Sequence, residues 1–141
     1  MFYDRLNTKD LMSRKHWQVD GGTTCSLCSL GIHETRDHMF IDCQFATDCW
    51  ERIHIHWLNS PSYLDRVRQA KDSFSGPLFL EILACAAWNI WKIRNEFIFQ
   101  DQQPSMGRWR VKFKADLQLH QYRVKSSMVQ PLLQWIRDLD F

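Results

Sequence analysis

Apolar residues return every three or four positions along most of the chain, and almost nowhere does the period of two that marks a strand appear. The sequence therefore predicts an all-α, mostly helical protein. Thr8 is placed to cap a short helix from Lys9 to about His16, with Leu11 and Met12 turned inward. Asp20-Gly21-Gly22 reads as a turn. Ala46, Cys49, Trp50, Ile53 and Trp57 then share a helical stripe that begins just after Cys43. Asn59-Ser60-Pro61 breaks that helix and starts another, with Ser60 as cap and Pro61 at the first helical position. Leu64, Val67 and Phe74 are its inward residues, and Ser75-Gly76-Pro77 stops it.

Leu78 to Phe99 is the most hydrophobic stretch, and its first half leaves almost no polar face. A helix apolar all round lies at the centre of a domain or in a membrane. Glu81, Asn89 and Lys92 interrupt this one well short of the ~20 apolar residues a bilayer requires. It reads as a buried central helix, with Trp88 and Trp91 largely covered. Trp91, Arg94 and Asn95 share a face, so Arg94 can stack on Trp91 while Asn95 bonds nearby backbone. Gln100 to Pro104 is a polar linker, and Ser105 caps a long amphipathic helix. Trp109, Phe113, Leu117, His120 and Val124 carry it to about Lys125. Ser126 and Ser127 loosen it, and Pro131 opens a short last helix with Leu132, Leu133, Ile136 and Leu139 inward.

At 141 residues the chain fits one domain with a sizeable core, and seven Trp and nine Phe make that core bulky and aromatic. A formal charge of +2 names no partner. Its distribution says more. Residues 1–60 hold six Lys/Arg against eight Asp/Glu, a balance of −2, whereas residues 104–141 hold seven against three, a balance of +4. Arg108, Arg110, Lys112 and Lys114 supply four of those cations within seven residues, and they are the candidate contacts for nucleic acid or another partner. No N-terminal run resembles a signal peptide. Five cysteines, an odd number, fit a reducing compartment, cytoplasmic or nuclear.

Three of those cysteines fall within nineteen residues. Cys25-Ser26-Leu27-Cys28 is followed by His38 and Cys43, which together offer the four soft or borderline donors a tetrahedral zinc ion takes in a structural site. His33 stands four residues after Cys28, so a Cys25/Cys28/His33/His38 set satisfies the spacing as well. Cys49 lies on the apolar stripe and reads as core. His54 and His56 fall on different helix faces and read as surface residues. With four protein ligands no position is left for water, so such a site builds structure and performs no chemistry.

The residues around the cysteines carry a resemblance. Leu6-Asn7-Thr8-Lys9-Asp10-Leu11, Glu34-Thr35-Arg36-Asp37-His38-Met39-Phe40 and Cys43-Gln44-Phe45-Ala46 resemble the zinc-binding domain of plant LINE-type (non-LTR) reverse transcriptases. Ala87-Trp88-Asn89-Ile90-Trp91-Lys92-Ile93-Arg94-Asn95 is similar to a Trp-rich helix of the same proteins. The resemblance favours Cys25, Cys28, His38 and Cys43 as ligands of one structural Zn2+. It implies a small zinc-stapled loop-helix module over residues 1–60, packed on a helical bundle. Residues 61–103 form that bundle's core around helix 78–99, and residues 104–141 add the basic helix and a last helix.

In the family the zinc domain follows a polymerase and helps hold nucleic acid. This chain is expected to be a stand-alone, retroelement-derived fragment, with its short N-terminus offering an edge for a homodimer. No Tyr-x-Asp-Asp, acid cluster or Gly-rich phosphate loop accompanies it, so no enzyme is expected. The zinc loop holds only Arg36 for phosphate, and the expected role is contact with an unknown protein partner. Nucleic-acid binding through the basic helix 105–125 is the alternative.

Overall fold

The computed structural model describes residues 6–16 and 22–139. The expected Asp20-Gly21-Gly22 turn lies largely outside them, as does the N-terminal edge on which the homodimer rests. Six α-helices follow in order: α1 (Lys9–Arg14), α2 (Gln44–Arg52), α3 (Tyr63–Ser73), α4 (Phe79–Gln100), α5 (Met106–Leu119) and α6 (Ser126–Asp138). A π-helical turn, His38–Asp42, precedes α2, and a 3-10 turn, His120–Tyr122, follows α5. The one β-type pairing among the described residues is an isolated bridge between Thr24 and His33. The all-α architecture is the one the periodicity predicts. Among the described residues, no helix is long and apolar enough to cross a membrane.

The core forms where α4 and α5 pack side by side. Ile82, Ala86, Ile90 and Ile93 of α4 and Trp109, Phe113 and Leu117 of α5 are buried, and Trp109 stacks on Phe113 at 5.0 Å between ring centroids. The buried Trp109 Nε1–H donates to the Ala86 carbonyl at 3.4 Å, which satisfies its polar edge. Leu132 and Ile136 of α6 are buried at the far end. Phe74 and Trp135 meet there at 5.9 Å, over a Gly76 whose missing Cβ would lie 2.5 Å from Trp135 and 2.6 Å from Phe74. Gly76 is therefore a packing requirement as well as a helix stop.

Several boundaries and burials differ from those expected. Helix α3 starts at Tyr63 with Ser62 as its cap: the Ser62 hydroxyl accepts from the Asp65 N–H, while Ser60 accepts from the Ser62 N–H. That shift places Pro61 outside the helix and rotates Leu64 into solvent, 66% exposed. The long basic helix ends at Leu119, and the 3-10 turn His120–Tyr122 and a short connection, 123–125, lead to α6. Pro131 lies inside α6, not at its start. Pro131 and Ser127 are both exposed, so the carbonyl deprived of its i+4 donor can turn to water.

Helix α4 corrects the largest expectation. Leu80, Ala84 and Trp88 line up at i, i+4 and i+8 on a face that no other element covers, and Trp88 is 54% exposed. Trp91 is only half-buried. Ten residues of α4 are buried, so the helix is central to the fold, and the departure is confined to one open stripe.

Candidate metal centre

Two local devices deliver the four donors of the Cys/His cluster. A narrow hairpin carries the first two. The Cys25 N–H donates to the Ile32 carbonyl at 2.7 Å and the Glu34 N–H to the Thr23 carbonyl at 2.8 Å, closing the loop that contains Cys25-Ser26-Leu27-Cys28. Within the loop the Leu27 N–H points at the Cys25 sulfur, 3.4 Å away. The π-helical turn carries the other two. Thr35 Oγ1 accepts from the His38 N–H, and the Cys43 N–H reaches back five residues to the His38 carbonyl at 2.6 Å. That wider turn sets His38 and Cys43 on one side, where an ordinary α-turn would not. Cys43 then stands at the head of α2.

The four donor atoms of Cys25, Cys28, His38 and Cys43 all lie within 4.8 Å of one another. Cys25 Sγ and Cys43 Sγ are 3.9 Å apart, and Cys28 Sγ and His38 Nε2 are 3.4 Å apart. A tetrahedral ion at ordinary zinc distances would set such edges at about 3.5–3.8 Å, so the donor set fits a four-coordinate metal. The cluster is sheltered: Cys25, His38 and Cys43 are buried and Cys28 is half-buried. His33 is not among them. Its Nε2 faces the Asp10 carboxylate at 2.8 Å on the exposed rim. The alternative set with His33 therefore does not assemble.

The donors lie close enough to perturb one another's protonation. The neighbouring Cys43 thiol, together with burial, pushes the Cys25 thiol far up, and Cys25 in turn holds Cys43 below the ordinary thiol value. The Ala46 and Phe45 N–H groups at the head of α2 also lower Cys43. Burial lowers His38, which keeps the imidazole neutral and able to donate a lone pair. The remaining cysteines are inert. Burial first of all raises Cys49 and pushes Cys85 up to about 12, and neither joins the cluster.

Behind the ligands lies an ion pair that the sequence reading missed. Glu34 is fully buried, and its carboxylate accepts from the Lys9 N–H at 2.9 Å and the Ser26 N–H at 3.3 Å. Arg94 of α4, itself 2% exposed, completes the shell with Nη2 to Oε1 at 2.6 Å. The same guanidinium bonds the Asn7 carbonyl and Asn95 Oδ1, and its Cζ lies 4.8 Å over the Trp91 ring. Trp91 in turn faces Phe40 of the π-helical turn at 6.4 Å. The Arg94–Trp91 stack is the one expected, but Asn95 bonds Arg94 and not backbone. The buried Lys9 adds its Nζ to the Thr24 carbonyl at 2.9 Å. One carboxylate thus ties α1, the Cys25–Cys28 loop and α4 together. Its signal was present in the two segments that carry the resemblance, a Glu in one and an Arg in the other. Nothing in either segment alone says that they meet.

The four cations of the basic helix are placed less openly than their spacing suggests. Arg108 Nη1 meets Glu96 Oε2 at 2.7 Å and also bonds Gln102 and the Gln103 carbonyl. Lys112 Nζ meets Glu96 Oε1 at 2.6 Å. Arg110 and Lys114 are half-buried on another side of α5. Arg36, the loop's lone cation, engages Asp37 at 3.0 Å and lies over the Tyr63 ring.

Residues 1–50 match the family model described as zinc-binding in reverse transcriptase. The matched segment contains all four clustered donors and Glu34. The matched segment is similar to that family and covers about a third of the chain. No curated protein and no solved structure matches the chain.

Proposed function

We propose that this chain is a non-enzymatic helical module, derived from a retroelement reverse transcriptase of the plant LINE type. One structural Zn2+ on Cys25, Cys28, His38 and Cys43 stabilises it, and it acts through contact with another protein. The observation that carries the partner reading is the contrast between two surfaces. On the basic helix, Arg108 and Lys112 are both engaged by the single carboxylate of Glu96, which offsets one of their two charges. On α4 and the end of α5, Leu80, Trp88 and Leu119 are each more than half exposed, and Trp88 and Leu119 line one cleft. Nucleic acid is the second reading, favoured by six Lys/Arg against one Asp over residues 105–125.

Two measurements test this. Purified protein should hold one zinc per chain; Cys43→Ser should lose it and His33→Ala should keep it. Normal metal content in Cys43→Ser would overturn the ligand set. Titration with single- and double-stranded nucleic acid should give only weak, salt-sensitive binding at physiological salt. Tight binding that is lost when Arg108, Arg110, Lys112 and Lys114 become Ala, with a flatter salt dependence, would overturn the protein-contact reading in favour of nucleic acid.

A further inference from the structure

The exposed face of α4 continues into a cleft. Ala84, Cys85, Trp88 and Lys92 of α4 and Asp116, Leu119, His120 and Arg123 of α5 and the turn after it enclose ≈ 410 Å³. Ala84 and the buried Cys85 give it small side chains, flanked by Trp88 and Leu119, 54% and 58% exposed. Leu80 extends the apolar face by one turn, so Leu80 to Trp88 spans about 12 Å along α4. That length matches two to three turns of a helix laid against it. At one end the charges are asymmetric. Lys92 is paired with Asp116 at 2.6 Å, and Asp116 also accepts from Asn89. Arg123 and, two residues on, Lys125 are exposed and form no ion pair among the described residues.

We propose that this cleft docks an amphipathic helix of a partner protein, with leucine-type side chains seated between Trp88 and Leu119 over Ala84. Acidic residues on the partner's flank would face Arg123 and Lys125. The inference rests on the protein-contact reading and names the partner's chemistry. The charge argument selects the occupant. An acidic flank complements the open cations Arg123 and Lys125, whereas the same cleft of a second copy offers only Asp116, already held by Lys92. The composition of the walls selects it again. Aliphatic Leu80, Ala84 and Leu119 fit the i, i+3, i+4, i+7 side chains of a docked helix.

The test uses the zinc-loaded full chain and a designed helical peptide with leucines at i, i+3, i+4 and i+7 and glutamates on its flanks. Its counterpart carries lysines in place of the glutamates. Binding is followed by anisotropy of the labelled peptide. The acidic peptide should bind, and the lysine version should bind more weakly. Trp88→Glu or, as a second surface change, Leu119→Glu should weaken the acidic peptide by about tenfold or more. Arg123→Glu should narrow the preference for the acidic peptide, with circular dichroism and metal content unchanged in all three. No binding of either peptide, or undiminished binding by both Trp88→Glu and Leu119→Glu, overturns this site and leaves the protein-contact reading standing. Displacement of the peptide by oligo-dT at physiological salt overturns both and assigns the face to nucleic acid. A concentration-dependent dimer that Trp88→Glu disperses gives the face to a second copy and overturns the acidic partner.

Discussion

Glu34 sits with no solvent exposure and receives the Lys9 and Ser26 N–H groups and the Arg94 guanidinium. Removing either charge strands the other in a dry site, which ordinarily costs about 3–5 kcal/mol, although the intact pair contributes much less than that. Glu34→Gln and Arg94→Met are each expected to lose about that much in urea unfolding. The double variant should lose clearly less than the two together, because no charge is left unpaired. Simple additivity in the cycle would mean that the two side chains do not act as a pair. Metal content provides a second readout: Glu34→Gln should weaken zinc retention as well, since Ser26 is then held less firmly between the two cysteines. Arg94→Met should weaken it less, because Arg94 touches neither the loop's backbone nor a ligand.

The elements show what a sequence states and what it leaves unsaid. The α4 and α5 helices and the Thr8 and Ser105 caps were legible because each depends on spacing within a short segment, whereas the Cys25/Cys28/His38/Cys43 set needed the resemblance, since His33 satisfies the spacing equally well. The exposure of Trp88 was not, since it depends on which side of α4 receives neighbours, and that is decided by residues far along the chain. Nor was the π-helical turn: a five-residue spacing of His38 and Cys43 is equally compatible with several backbones. Helix α3 was misplaced because Ser60 and Ser62 are equivalent as caps on paper, and only the bond from the Asp65 N–H chooses between them. Truncating tryptophans measures the difference between a covered and an uncovered face. Trp109→Ala, at a site with no exposure, should cost about 3–5 kcal/mol. Trp88→Ala should cost less than about 1 kcal/mol, as expected of a side chain that lies half in water. Similar losses at the two positions would mean that α4 is enclosed on both sides and that the cleft beside Trp88 does not exist in solution.

At the scale of the molecule, two kinds of stabilisation meet at α4. The α4–α5 contact is apolar and needs no metal, with Ile82, Ile90, Trp109 and Phe113 buried in it. The Cys25–Cys43 region buries Leu27, Met39, Phe40 and Ile41, but its Cys25–Cys28 loop is held by Glu34 and by the ion that the four donors would bind. Chelation at neutral pH should therefore raise amide exchange over residues 23–45, while α4 and α5 keep most of their protection. Acid should act on the same region and with a definite sign. Burial holds His38 below its ordinary 6.5, so the unfolded chain takes up the proton first. The contribution of neutral His38 is thus complete above about pH 6.5 and is lost as pH falls below it, even without metal. With zinc bound the loss should become steeper, because the thiols and the imidazole must all be deprotonated to hold the ion. Exchange measured at neutral and mildly acidic pH, with and without chelator, separates the two effects. If chelation instead releases α4 and α5 together with the loop in one cooperative step, the α4–α5 core is not self-sufficient, and the metal centre supports the whole fold through Glu34 and Arg94.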